Sequence, residues 1–174
     1  MNESNPPGQR RKIVSSRHLA NDKWELSELE YGMIIANNAF NKWMVRCMAA
    51  AGQQEFNPLD VLVLHNVNHR DRSKRLIDIC FLLNIEDTHT VNYAVKKLVK
   101  LNLIVGEKQG KEMFYSTTDP GKKLCDDYRQ VRKECLIEVL QMWDIGEGEL
   151  SEKASFLRAL SGLYDQASRA AASL

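Results

Sequence analysis

The sequence has 174 residues, of which 44% are hydrophobic and 27% are charged, a composition typical of a globular chain that can bury a core. The formal net charge is only +1, so binding to a polyanion would need positive charge that is concentrated locally. Residues 1–9 are polar and rich in proline, no stretch is apolar enough for a membrane span, and the four cysteines form no CxxC pair. We therefore expect a cytoplasmic protein with reduced thiols.

The N-terminal part is expected to contain a flexible arm, residues 1–21, followed by a long helix in residues 22–56. Ser27 and Glu30 fit a capping box at the start of this helix. Apolar residues then recur at helical spacing up to Gly52, and they cover more of the helix than a single core-facing edge. Because a small domain can seldom cover such a helix alone, the pattern indicates a helix that packs against a second subunit.

Two shorter helices are predicted next. The first opens at Pro58, whose missing N–H costs nothing in a first helical turn, and it fades near Asn68. The second is expected to be capped by Ser73 and to end near Asn84. Its inward-facing residues would be Leu76, Ile77, Cys80, Phe81 and Leu83.

The fourth predicted helix, residues 88–101, divides its side chains most clearly. Its buried side would consist of Val91, Ala94, Val95 and Leu98. The side chains left outside are those of Thr88, His89, Asn92, Tyr93, Lys96, Lys97 and Lys100. Such a helix fits the major groove of DNA, where Asn92 can pair with adenine. The N-terminal turn, with Thr90, favours phosphate, and the lysines suit the flanking phosphates.

After Asn102 the spacing of apolar residues changes from helical towards alternating. Two strands are therefore predicted over residues 103–117, with a turn at Gln109 and Gly110. Lys108 and Lys111 would flank the tip of this hairpin. A long helix capped by Thr118 or Asp119 is expected to run to Trp143, and a final helix is expected from Ser151 to about Ala172.

This order of elements is typical of a winged helix-turn-helix. We predict a fold that is mainly α with a small β-hairpin: a DNA-binding lobe, residues 57–118, between an N-terminal dimerisation helix in residues 22–56 and C-terminal helices in residues 119–174. From His65 to Lys111 the chain has nine basic and five acidic residues, a local net charge of +4. The predicted DNA-binding residues are Ser73, Lys74, Arg75, Thr88, His89, Thr90, Asn92, Tyr93, Lys96, Lys97, Lys100, Lys108 and Lys111.

The stretch from Thr88 to Ile104 resembles the recognition helix of the MarR family of transcription factors and the start of the family's wing. Residues 73–78 are similar to the start of the preceding helix, and residues 118–121 resemble the Thr-x-x-Gly that follows the wing. The resemblance implies a dimer that is joined by the first and last helices and that binds a palindromic operator. The residues expected to join this dimer are Leu29, Met33, Phe40, Val139, Trp143, Leu157, Leu160 and Tyr164.

The sequence departs from the family pattern at Asn102 and in residues 109–111. Asn102 stands where the family has a glycine before the wing, although asparagine tolerates a positive φ better than most residues. The Asp-x-Arg of the wing is replaced by residues 109–111, Gln-Gly-Lys, so the planar fork of an arginine is missing. We therefore expect the wing to contact phosphates rather than to recognise the minor groove.

Other sites are weaker. His65 and His69 have the spacing of zinc ligands on a helix, but no third ligand is identifiable, so no metal is expected. Cys47 and Cys135 lie on apolar stripes and are interpreted as packing residues rather than a redox switch. Packing is also the first interpretation for the tryptophans, with a pocket for a small-molecule effector as the alternative: Trp24, Trp43 and Trp143.

The main prediction is a sequence-specific regulator, a repressor, that binds duplex DNA as a homodimer. Its recognition helix would be about residues 88–101 and its wing about residues 103–117. No nucleophile motif, phosphate-binding loop or HExxH is present, so an enzyme is not expected, and no cofactor is expected either. The alternatives are a winged helix that binds other proteins, and a ligand or redox sensor in which DNA binding is secondary.

Overall fold

In the computed structural model, residues 24–142 and 146–174 are described, apart from the side chains of Asp71 and Glu147. The predicted arm, residues 1–21, and Trp143 lie outside these ranges. The first part of the chain consists of α1 (Trp24–Ala50), α2 (Pro58–Asn68), a 3₁₀ turn (His69–Asp71), α3 (Leu76–Leu83) and α4 (Thr88–Lys100). No helix of the described ranges is long and apolar enough to cross a membrane.

The second part begins with an antiparallel hairpin of β1 (Ile104–Gln109) and β2 (Glu112–Thr117). It continues with α5 (Asp119–Arg132), a π-helical turn (Lys133–Ile137), α6 (Glu138–Gln141) and α7 (Glu147–Ala171). The predicted fold class, mainly α with a small hairpin, is confirmed. The last helix was predicted to begin at Ser151, but it begins at Glu147. Gly148 therefore lies inside α7 and does not separate it from the preceding helix.

The chain forms two compact units that are divided after Cys125, within α5. The core of the first unit lies where α1, α2, α3 and α4 meet the start of the wing. Its most completely buried side chains are those of Met48, Val61, Val63, Leu64, Ile79, Val91 and Leu98. The predicted buried side of α4 is confirmed, since Val91, Ala94, Val95 and Leu98 are all buried.

Two predicted helix starts are wrong. Ser27 does not cap α1, because that helix already includes Trp24. Ser73 does not cap α3, because the next residue, Lys74, forms a β-bridge with Tyr115 of β2. The backbone N–H of Lys74 donates to the backbone oxygen of Tyr115 at 2.9 Å, and the N–H of Tyr115 donates to the backbone oxygen of Lys74 at 2.8 Å. This pairing keeps the segment extended, so α3 begins only at Leu76.

The predicted inward face of α3 is also partly wrong. Ile79 and Cys80 are buried, whereas Ile77 is 61% and Phe81 is 84% exposed. All residues of this eight-residue helix except Asp78 are apolar. The hydrophobic pattern therefore could not orient the helix, and its packing against α2 and α4 decides which face is buried.

The hairpin is closed by a two-residue turn, Gly110 and Lys111, because Gln109 pairs with Glu112. This turn lies one residue beyond the predicted one. Gly110 has a φ of +64°, and a positive φ at the first of two turn residues is typical of a type II′ turn. The tip is thus as short as a hairpin allows, and it carries Lys108 and Lys111 on either side of the glycine.

The base of the wing is fastened to the start of α5. Asn102 has a φ of +56°, so this asparagine adopts the conformation for which the family uses glycine. The Thr118 hydroxyl donates to the backbone oxygen of Asn102 at 2.7 Å and accepts from the Gly121 N–H at 3.2 Å. A Cβ at Gly121 would collide with the backbone oxygen of Leu103, so only glycine fits there.

Candidate nucleic-acid interface

The outer side of α4 is a continuous polar and aromatic surface. Thr88, His89, Lys96 and Lys100 are exposed, Tyr93 is 75% exposed, and Asn92 is half-buried. Residues at positions 89, 93, 96 and 100 follow the spacing of one helix face, opposite the buried side. The helix is therefore rigidly supported on one side and open on the other.

The N-terminus of α4 is capped by its own acidic residue. Oδ1 of Asp87 accepts the N–H of His89 at 2.9 Å, and the hydroxyl of Thr90 donates to the backbone oxygen of Asp87 at 2.8 Å. The predicted phosphate-binding turn thus has one of its N–H groups occupied and a carboxylate beside it. The hydroxyl of Thr90 is also engaged in the cap.

Lys97 differs from its neighbours on α4. Its side chain is only 34% exposed, and its Nζ lies 2.7 Å from Oδ2 of the buried Asp60. The same ammonium donates to the backbone oxygen of Glu55 at 2.6 Å. The expectation that Lys97 lies outside with the other lysines is therefore wrong, because a buried carboxylate draws it inward.

Lys74 is engaged at the end of α2. Its ammonium donates to three backbone oxygens, those of Val67 at 3.4 Å, His69 at 2.8 Å and Arg72 at 3.3 Å. Burial lowers the pKa of Lys74, and the charges of Arg70 and Arg72 lower it further. This predicted DNA-binding residue thus caps the carbonyl groups of the preceding helix and 3₁₀ turn.

Arg75 joins α3 to the wing. Its guanidinium holds Asp78 through two hydrogen bonds, of 3.0 Å and 2.8 Å, and reaches Glu112 of β2 at 2.9 Å. These hydrogen bonds raise the pKa of Arg75 and hold the pKa of Asp78 below its usual value. Three of the basic residues predicted to bind DNA, Lys74, Arg75 and Lys97, therefore have protein partners.

The remaining cations are available to a ligand. Within the described residues, no carboxylate pairs with Lys96, Lys100, Lys108, Lys111, Arg70 or Arg72. Arg70 and Arg72 contributed to the predicted local charge but were not among the predicted binding residues. Both are exposed; Arg70 lies within the 3₁₀ turn that Lys74 caps, and Arg72 directly follows this turn. Their position in a short polar link between two helices was the signal that could have identified them.

Two shallow grooves border the wing. One, of about 260 Å³, lies between α4 and the hairpin and is lined by Val95, Lys96, Val99, Gly106, Met113 and Tyr115. The other, of about 270 Å³, lies between α3 and the hairpin and is lined by Arg75, Leu76, Ile77, Glu112, Met113 and Tyr115. Neither groove is lined by a tryptophan. No group of three potential metal ligands occurs in the described part of the chain.

Residues 56–121 match the family model of a winged helix DNA-binding domain. No curated protein matches the chain. Among solved structures, a MarR family regulator from Neisseria meningitidis is 20% identical, with 82% of this chain and 95% of that chain covered at a TM-score of 0.65. A MarR transcriptional regulator from Methanosarcina mazei Go1 is 15% identical, with 80% and 98% covered at a TM-score of 0.64.

MarR from Staphylococcus aureus, in complex with salicylate and kanamycin, is 15% identical, with 83% of this chain and 95% of that chain covered at a TM-score of 0.63. At these identities the likeness concerns the fold, and it extends over both units of the chain rather than the winged helix alone. The resemblance predicted from residues 88–104 is confirmed at this level. Residues 56–121 match a winged helix DNA-binding domain, and over 82% of its length the chain has the fold of a MarR family regulator.

Proposed function

We propose that this protein is a MarR-type transcriptional regulator that binds duplex DNA as a homodimer, with α4 in the major groove and the wing at the flanking backbone. The division of α4 into a buried side and an exposed side carries this proposal. Val91, Val95 and Leu98 fix the helix to the core, while Tyr93 and Lys96 face outward. A helix supported in this way can enter a groove without losing its own packing.

Base recognition is assigned to the N-terminal half of the exposed face. The amide of Asn92 can bond two atoms of an adenine edge, and Tyr93 offers an apolar ring to a thymine methyl group. Lys96 and Lys100 lie further along the same face, where they suit phosphates beside the groove. Asp87 repels phosphate from the first turn, so the lysines carry more of the backbone contact than the helix N-terminus does.

The wing supplies a second phosphate contact. Lys108 and Lys111 are exposed at the tip of the hairpin. Lysine acts as a point charge rather than a planar fork, and therefore suits phosphate oxygens better than base edges. The proposed DNA-binding set is accordingly Thr88, His89, Asn92, Tyr93, Lys96, Lys100, Lys108 and Lys111, with Arg70, Arg72, Ser73 and Thr90 at its margin.

Exposed apolar side chains in both units support the dimer. In α1, Ile34 is 58% and Phe40 is 53% exposed, and in α7, Leu157 is 47% and Leu163 is 57% exposed. Apolar faces of this kind mark protein interfaces, and a second copy of the chain would cover them. Of the other residues expected at the interface, Val139 is exposed, Leu29, Met33 and Tyr164 are half-buried, and Leu160 is buried. Two-fold symmetry would present two α4 helices to an inverted repeat.

A repressor is the simplest role for such a dimer, because a protein that covers promoter DNA excludes polymerase without a further activity. The Staphylococcus aureus structure contains salicylate and kanamycin, and a small molecule is accordingly proposed as the effector of this protein as well. Its binding would favour a dimer geometry that does not fit the operator.

A protein-binding winged helix is the second candidate. It is favoured by Ile77, Phe81 and Leu82 of α3, which are all more than half exposed. A surface of this kind is not needed for contact with phosphates, and it would suit an apolar partner. The two functions differ in which helix is essential: α4 for DNA, and α3 for a protein partner.

The first experiment is selection of bound sequences from a random double-stranded library, followed by titration of the best sequence over a range of salt. We expect the selected site to be an inverted repeat. The slope of log affinity against log salt should become less steep by roughly 1.8 in Lys96→Ala, because two subunits each lose one phosphate contact. Asn92→Ala should relax base preference instead. Lys133→Ala removes an exposed lysine outside the winged helix and should leave the slope unchanged. Enrichment of no sequence would contradict the proposed function.

A further inference from the structure

Lys97 and Lys96 are neighbours in the exposed helix, but they have opposite surroundings. Lys96 is exposed and has no carboxylate partner among the described residues. Lys97 donates to Oδ2 of Asp60 at 2.7 Å and to the backbone oxygen of Glu55 at 2.6 Å. Its Nζ also lies 5.3 Å from the centre of the Phe56 ring, a distance at which a cation is attracted to an aromatic face.

Asp60 is also held in place by Asn57, through the same carboxylate oxygen that accepts from Lys97. Its Oδ2 accepts the N–H of Asn57 at 2.9 Å, and its own N–H donates to Oδ1 of Asn57 at 2.9 Å. This reciprocal pair caps the start of α2. Asp60 is only 2% exposed, so its carboxylate needs a counter-charge, and Lys97 provides it from a helix 37 positions later.

An ammonium group has three N–H donors. In Lys97 two of them are used by Asp60 and Glu55, and the charge lies against Phe56. These contacts leave at most one N–H donor of Lys97 for a phosphate, whereas all three donors of Lys96 are available. Moving the ammonium away would also leave the buried carboxylate of Asp60 without a counter-charge, which is strongly unfavourable.

We infer that Lys97 is a positioning residue: its contact with Asp60 and Glu55 fixes α4 against the loop that leads from α1 into α2, and so sets the orientation of Asn92 and Tyr93 towards bases. Tyr93 lies one helical turn before Lys97, so rotation of α4 at Lys97 moves the Tyr93 ring directly. This inference rests on the proposed function, because it assigns a role within DNA recognition. It separates adjacent lysines into one that contacts phosphate and one that orients the helix.

The test compares Lys97→Met with Lys96→Met in the full-length protein. Methionine keeps much of the stem and removes the charge. For Lys97→Met we expect an unchanged salt slope and a loss of about tenfold in preference for the selected site over random duplex, similar to one mismatched base pair. For Lys96→Met we expect a lower slope with the preference retained. Lys97→Arg should restore most of the preference, because it keeps the charge beside Asp60.

A lower slope in Lys97→Met would show a direct phosphate contact and would overturn the inference. Unchanged slope and unchanged preference, with only lower thermal stability, would overturn it as well, because Lys97 would then have a purely structural role. If Lys97→Met does not fold, Asp60→Asn keeps the capping acceptor, removes the buried charge and should show the same loss of preference. In the free protein, amide exchange in α4 should be faster in Lys97→Met than in Lys96→Met. That readout distinguishes a failure of the inference from a parent protein that binds no DNA.

Discussion

The hydroxyl of Thr118 links the backbone of Asn102 to the first turn of α5, since it donates to the Asn102 oxygen at 2.7 Å and accepts the Gly121 N–H at 3.2 Å. One side chain therefore closes the base of the wing and caps the following helix. The N–H of Thr118 adds a bond to the Leu103 oxygen at 3.1 Å. The Thr-x-x-Gly motif is thus explained by geometry, with a cap at its first position and a close backbone approach at its last.

Replacing this hydroxyl should destabilise the first unit. For Thr118→Ala we expect a loss of about 1 kcal/mol in the free energy of unfolding, the usual cost of an N-cap. Thr118→Ser keeps the oxygen and should lose much less. Urea denaturation of the three proteins measures the difference, and equal losses for alanine and serine would show that the methyl group matters rather than the hydrogen bonds.

The orientation of α3 predicts opposite outcomes for two apolar residues that are two positions apart. Ile79→Ala should cost about 2–5 kcal/mol, because its side chain is fully buried. Phe81→Ala should change the free energy of unfolding by no more than about 0.5 kcal/mol, because the ring is largely in solvent. Denaturation curves at one protein concentration test both. A large loss for Phe81→Ala would mean that a partner subunit covers this ring.

The ion pair between Arg75 and Asp78 should make stability depend on pH. The hydrogen bonds from Arg75 lower the pKa of Asp78 in the folded protein below its usual value. A carboxyl of this kind adds stability above its unfolded pKa, and that stability is lost as the pH falls through its folded pKa. We expect Asp78→Asn to lower the melting temperature at pH 7. The difference in melting temperature between this variant and the parent should disappear below about pH 4.

The effect should be small, since both side chains are 37% exposed and solvent screens the pair. Asp126→Asn is a suitable control, because Asp126 pairs with Arg129 in a much more exposed position. Melting curves measured from pH 3 to pH 7 test this expectation. A difference in melting temperature between Asp78→Asn and the parent that increases as the pH falls would contradict it.

Charged residues on the exposed apolar faces should disrupt the proposed homodimer. Phe40→Glu in α1 and Leu157→Glu in α7 each place a carboxylate on such a face, where an interface would bury it at high cost. We expect sedimentation to show a lower mass at the same concentration and operator binding to weaken. Lys42→Glu changes charge at an exposed position of the same helix as Phe40 and should matter less. Unchanged mass for both glutamate variants would contradict the proposed interface.

The parts of the fold that were predictable are those with a strong local pattern. In α4, polar and apolar residues alternate with the helical period, so its buried side followed directly from the sequence. The hairpin was predictable from its glycine turn, although the turn itself lies one residue later. In α3 almost every residue is apolar, and such a pattern cannot show which face is buried.

The errors in the site have a different cause, namely partners that are distant in sequence. Asp60 and Lys97 are 37 positions apart, and so are Arg75 and Glu112. Lys74 is held extended by Tyr115, which belongs to another element. Charge patterning along a helix predicts which lysines are exposed only when no buried carboxylate lies within reach, and this condition becomes visible only in three dimensions.

The two-residue turn of the wing makes its tip a convenient place for engineering. Gly110 and Lys111 lie beyond the last pair of the ladder, Gln109 and Glu112, and a Cβ at Gly110 would meet no neighbouring atom. A longer loop with an arginine could therefore be grafted there without disturbing the packing of the lobe. Since the base of the hairpin is fixed by Asn102 and Thr118, each added residue would extend the reach of the wing rather than loosen it.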